Sequence, residues 1–225
     1  MAGMTFQRAR SEEQREIRRR AILDTTAAML DSMPVSEISL NELSRRVGLA
    51  KSNVLRYFET REAILLELLE RAGRQWLAEV SDRLDAEVDP DADVRRRTDT
   101  LAAVMAASIA RHQVLCDLIS AQAGVLERNV SVDVAARHKR STLDSMTALA
   151  AVVRRHIPEL GEADAFMVSG ATMILGVAAL WTACRPSPSM LAAYDTDPEL
   201  AALRMDFTTA LTDVIATVIA GKLAR

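Results

Sequence analysis

The chain has 225 residues, of which 49% are hydrophobic and 26% charged, with a formal net charge of −3. This is ample material for a sizeable core and for two domains. Eight glycines, six prolines and no stretch that alternates apolar with polar residues point to an all-α protein rather than a sheet. Cys116 and Cys184 are far apart and lack metal-ligand spacing, which argues against a disulfide framework or a zinc site.

The first ten residues are polar and include Arg8 and Arg10. They are expected to be a solvated tail, with an arm lying along DNA as the sharper alternative. No apolar signal-peptide core is found there, so a cytoplasmic protein is expected. Ser11, followed by Glu12, Glu13 and Gln14, predicts an N-cap and a helix running to about Ser32. Arg18, Arg19 and Arg20 make a basic cluster on it, either a solvated face or a phosphate contact.

The most informative stretch is residues 39–61, SLNELSRRVGLAKSNVLRYFETR. Ser39 and Glu42 have capping-box spacing, which fixes the start of a helix. Leu40, Leu43 and Val47 give that helix one apolar face, and Gly48 is suited to the left-handed turn that ends it. A second helix follows at once. Its Val54, Tyr57 and Phe58 are placed to pack back, leaving Lys51, Ser52, Asn53, Leu55 and Arg56 on the other side. This is helix-turn-helix spacing, and a major groove admits one helix whose first side chains reach base edges. Lys51 and Arg56 suit phosphate or guanine, Asn53 adenine, and Leu55 a thymine methyl, while Asn41, Tyr57 and Arg61 complete the expected DNA-binding set. The same pattern also fits a plain αα-hairpin with polar residues facing water.

Thr60 is placed to cap a long helix reaching towards Asp89-Pro90. Periodic segments follow at 94–111, 114–127, 132–156, 162–184 and 198–223, separated by Gln113, Asn129, Pro158 to Gly161 and Arg185 to Pro188. That makes about nine helices. Residues 165–183 come nearest to a membrane span, but Ser169, Thr172 and Thr182 favour a buried bundle helix. Residues 1–60 hold ten Lys and Arg against eight Asp and Glu, and the remainder eighteen against twenty-three. A mildly basic head therefore sits on an acidic body.

The run from Ile22 to Leu69 resembles the amino-terminal domain of the tetracycline-repressor (TetR) family of transcriptional regulators. Ile22, Leu23 and Leu30 match its first-helix core, Leu40 and Leu43 its second helix, Val47-Gly48-Leu49 its turn, Tyr57-Phe58 its aromatic pair, and Glu62 to Leu65 the start of its fourth helix. Pro34, Ser44 and Leu55 depart from the family's usual Gly, Ala and Tyr, and the last removes a hydroxyl that would face DNA. The resemblance implies a three-helix DNA-binding domain over residues 1–60 and a helical effector-binding and dimerisation domain over residues 61–225. It further implies a homodimeric repressor that leaves a palindromic double-stranded operator when a small effector binds.

In the apolar stripe Leu200, Leu203, Phe207, Leu211, Val214, Ile215 and Val218, and in the small residues Gly170, Ala171, Gly176, Ala178 and Ala179, the last two helices offer either core or a two-fold interface. Met105, Cys116, Met146, Phe166, Met173 and Trp181 are candidates to line an effector cavity, and the scarcity of inward charges suggests a lipophilic ligand. His112, His138 and His156 are scattered, and the chain holds no HExxH, ExxH, CxxC or Gly-rich phosphate loop. No metal, cofactor or catalysis is expected. The rival readings are a helical-bundle enzyme or ligand carrier with a structural hairpin, and an activator with the same DNA-binding head.

Overall fold

The computed structural model describes residues 2–225, with side-chain surroundings from residue 12 onward. Among the described residues there are eleven helices and no strand. They are α1 (Ala2–Leu30), α2 (Leu40–Val47), α3 (Lys51–Val54), α4 (Arg61–Glu87) and α5 (Val94–Ile109). Next come α6 (Gln113–Leu126), α7 (Val132–His156), α8 (Glu162–Ala183), α9 (Pro188–Thr196), α10 (Pro198–Ala201) and α11 (Phe207–Leu223). The last turns of α6, Gln122–Leu126, and the middle of α8, Thr172–Ala178, are π-wound.

Most boundaries follow local chemistry. Ser39 Oγ accepts from Glu42 N at 3.2 Å, Thr60 Oγ1 from Ala63 N at 3.1 Å, and Ser131 Oγ from Val134 N at 3.3 Å. Only half of the anticipated capping box forms. The Glu42 carboxylate turns away from Ser39 to Arg45 and Arg46, and hydrogen bonds from Arg45 first and Arg46 second lower its pKa to about 2.

Three boundaries differ from expectation. α1 begins at Ala2, so Ser11 lies inside a helix rather than capping one. No proline interrupts residues 2–11, and a formed helix gains one hydrogen bond for each residue it adds. The side chains of Arg8 and Arg10 lie outside the described residues, as does Met1. The segment 185–188 does break the chain, but Ser187 and Pro188 also open α9 as N-cap and first residue. The anticipated 198–223 helix is two pieces, because Asp206 caps a fresh helix through Thr209 N at 2.8 Å.

α4 is the axis of the molecule. Its first half packs on α1, and along its length it contacts α5, α6 and α7. Ile22, Met29, Leu43, Val54, Ile64 and Leu65 form the head's core, while Leu84, Leu101, Met105, Leu115, Val153 and Leu211 lie in the body's. α11 packs on α5, and α8 on α7 and α11. Gly176 permits the last approach, since a Cβ there would fall 2.6 Å from Leu211 Cδ1. α8 is long and apolar enough to cross a membrane, but 39% of its most apolar window is buried against these neighbours.

Candidate nucleic-acid interface and ligand cavity

The hairpin is fixed from within. Gly48 takes φ 72°, the left-handed value that a Cβ disfavours, and its N–H bonds back to α2. α3 is a single turn, and Tyr57 N and Phe58 N continue it by bonding Val54 O at 2.9 and 3.2 Å. Val54 is fully buried and Phe58 nearly so. These two anchors hold Lys51, Ser52, Asn53, Leu55 and Arg56 outward, all exposed, with Leu55 at 40%. Asn41 is exposed at the start of α2.

One expected DNA contact has other partners. The Arg61 guanidinium donates to Ile38 O at 2.9 Å and pairs with Glu62 at 3.0 Å, fastening α4 to the chain before α2. Tyr57 is half-buried. Arg19 likewise leaves the basic cluster: it stacks over the Phe58 ring at 4.4 Å, donates to Tyr57 O at 2.6 Å and ion-pairs with Glu67. Burial lifts the Glu67 carboxyl above its ordinary range, with Arg19 opposing. Arg18 and Arg20 stay exposed. Arg15 and Arg18 on α1 share an open groove of about 790 Å³ with Arg56 and Tyr57. The sequence reading missed Arg15, whose only local signal is its place one turn before the arginine cluster.

Further along α4, a cavity of about 400 Å³ opens between α4, α6, α7 and α8. Of the six candidates, Met146, Phe166 and Met173 line it, together with Leu69, Leu115 and Ile119. The other three candidates do not. Met105 and Cys116 are sealed in the core, and burial pushes the Cys116 thiol up to about 12. Trp181 lies edge-on to Phe207 at 5.0 Å and donates to Asp117 Oδ1 at 2.6 Å, outside the cavity. A large core side chain reveals its burial in sequence but not its direction.

The cavity also has a polar end that sequence reading passed over. His138, 2% exposed, bonds Glu70 Oε1 through Nδ1 at 3.1 Å and Gln122 Nε2 through Nε2 at 3.1 Å. The Gln122 amide also donates to Glu127 Oε1 at 2.8 Å, and Lys139 pairs with Glu127 at 2.7 Å. The pattern closes when the His138 proton sits on Nδ1. Burial pushes the Glu127 carboxyl up, yet hydrogen bonds from Lys139 and Gln122 outweigh it and leave it below the ordinary range.

The apolar stripe expected at the C-terminus divides. Phe207, Leu211 and Ile215 turn inward, where α11 packs on α5, and Val214 and Val218 are half-buried. Leu200 and Leu203 stand apart and are exposed. α8 instead carries the largest exposed apolar residues of this region, Ile174 at 68% and Leu175 at 66%, beside Met167.

A family model described as "Tetracyclin repressor-like, C-terminal domain" matches residues 70–225. The chain belongs to the TetR family. Among curated relatives of this TetR-family protein, the HTH-type transcriptional regulator EthR of Mycobacterium tuberculosis (strain ATCC 25618 / H37Rv) is 30% identical over 115 residues, 51% of this chain and 50% of its own. The chain thus spans about half the length of the curated relatives it matches. Two solved structures share the fold over nearly their full lengths. The transcriptional regulator FadR from Bacillus subtilis, in complex with stearoyl-CoA, aligns with TM-score 0.55 at 12% identity, over 90% of this chain and 98% of its own. The TetR family repressor AlkX from Dietzia sp. strain DQ12-45-1b aligns with TM-score 0.51 at 13% identity, over 91% and 96%.

Proposed function

We propose that this TetR-family chain is a homodimeric, cytoplasmic repressor that reads a palindromic DNA operator and is released by a small lipophilic effector. The observation that carries the reading is the pairing of two sites along one helix: an outward polar surface at Lys51 to Arg56 before the start of α4, and an apolar cavity that begins at Leu69, Glu70 and Gly73 further along it. Lys51, Ser52, Asn53, Leu55 and Arg56 enter the major groove, Asn41, Arg15 and Arg18 meet phosphates, and Arg19 and Arg61 brace the head. We take residues 1–60 as the reader and 61–225 as the sensor, with α4 passing from one to the other.

Several contacts support coupling between the two. Glu70 borders both the cavity and a smaller crevice of about 170 Å³ that reaches Tyr57, Phe58 and Glu59. Glu59 accepts from Ser131 N at 2.7 Å, joining the end of the hairpin to the start of α7. A ligand that prefers one spacing of α4 and α7 therefore biases the orientation of the heads, to the extent of its differential affinity. The stearoyl-CoA held by the Bacillus subtilis relative agrees with a lipophilic effector. The two subunits meet through α8 and the outer face of α11, where Met167, Ile174 and Leu175 leave apolar area uncovered.

Selection of bound duplexes from a random pool tests the reading, and a palindrome of two half-sites is the expected winner. Arg56→Ala is expected to weaken binding to that duplex by about 1–3 kcal/mol if it reads a base, or to lower the salt slope by about one if it holds a phosphate. An unchanged affinity and salt slope would remove α3 from the interface.

A further inference from the structure

We propose that the cavity between α4, α6, α7 and α8 takes a lipophilic cation: an apolar body against Met146, Phe166 and Met173, and a positively charged, hydrogen-bond-donating nitrogen at the end formed by Glu70. The proposal rests on the effector-chamber reading above and adds the charge of the ligand. It also sets this cavity apart from one that holds an anionic head group.

Three observations bear on it. The space is of ligand size, about 400 Å³, and most of its wall is apolar. Both π-wound segments open onto it. Gln122 and Ala123 come from the π turn of α6, and Met173, Ile174 and Ala178 from that of α8. Short π segments within α-helices are rare and occur frequently at functional sites. Here two of them face one space, which marks the space itself and not merely its polar residues.

The third observation is the charge count at the polar end. Glu70, Glu127, His138 and Lys139 are the titratable groups that line it. Lys139 is matched by Glu127 at 2.7 Å. Glu70 receives only the His138 imidazole, and no Lys or Arg among the described residues pairs with it. Arg19 and Arg137 line the neighbouring crevice that Glu70 also borders, not the cavity itself, and Arg19 is already paired with Glu67. Both N–H groups of the Gln122 amide are used, by His138 and Glu127. A carboxylate or phosphate arriving here meets the Glu70 carboxyl group with no unmatched Lys or Arg on the cavity wall, in a site where low dielectric strengthens the repulsion between like charges. A protonated amine meets an acceptor with lone pairs to spare.

The test uses isothermal titration of the full-length protein at neutral pH with decylamine, decanol and decanoate, each below its aggregation concentration. The three share an apolar chain and differ only in the head. Decylamine is expected to bind at least about tenfold more tightly than decanol, with decanoate weakest, because a hydrogen bond to a charged group adds roughly that much. Glu70→Gln keeps an acceptor for the His138 N–H while removing the charge. It should bring decylamine close to decanol and leave decanol unchanged. Decanoate binding as tightly as decylamine, or a decylamine affinity indifferent to Glu70→Gln, overturns the proposal while the chamber stands. If none of the three binds, the chamber reading falls with it. Should Glu70→Gln fail to fold in a thermal melt, the ranking on the unaltered protein decides alone.

Discussion

Single residues divide sharply into those that shape the hairpin and those it presents. Gly48 is the clearest of the first kind. Nothing lies within 4 Å of where its Cβ would be, so a side chain there costs only the left-handed backbone. Gly48→Ala is therefore expected to lower stability by about 1 kcal/mol in urea unfolding with no change in slope. Among the cations, charge alone does not decide the role. Arg19 and Arg61 have the same chemistry as Arg56, but their guanidinium groups are committed to carbonyls and carboxylates of the protein, while Arg56 is exposed. A surface pair of this kind contributes little by itself, whereas fixing the Tyr57 carbonyl and the Phe58 ring sets the pose of α3.

At the level of elements, α8 has three faces with three jobs. Gly176 lets it lie on α11, Gly170 and Met173 turn to the cavity with Ile174 at its rim, and Met167 and Leu175 face out. The π-wound middle shifts the register by which side chains reach these faces, so no single helical period describes the whole length. Gly170 offers the direct means of closing the cavity. A Cβ there would sit 3.6 Å from Met146 Cε, ordinary contact, and a longer side chain extends into the open space. Gly170→Leu is expected to abolish ligand binding in titration while leaving operator affinity within about twofold, since Gly170 lies on α8, away from the α4–α7 contacts that join the cavity to the head. Loss of both with an unchanged melting temperature would mean that the added side chain acts as a bound ligand does. The helix boundaries were legible in the sequence at Ser39, Gly48 and Thr60, where a cap stands beside an apolar period, whereas the cap expected at Ser11 lies inside α1. They were not at α9, where the Ser187-Pro188 pair ends one segment and begins another.

For the molecule as a whole, His156 ties stability to pH. It ends α7 within reach of Asp85 at 3.2 Å, and burial chiefly, with Arg155 adding, holds its pKa below the ordinary 6.5 against the pull of Asp85. The unfolded chain then takes the proton at a higher pH than the folded one. This contribution is present above about pH 6.5 and is lost as the pH falls through the folded value. Melting temperature is expected to drop on acidification through that window, and the drop should shrink in His156→Asn. An equal drop in the variant would assign the effect to carboxylates instead.

The amino-acid sequence by itself determined the helical class, the Gly48 hairpin and the family of the head, because caps, turns and periodicity act over three to four residues and are written locally. Which cations remain free, and which polar groups meet at the cavity, depended on the tertiary structure. Arg19 finds Glu67 across 48 positions and His138 finds Glu70 across 68. No spacing rule links such residues, since the distance between them is set by how α4 crosses α1 and α7.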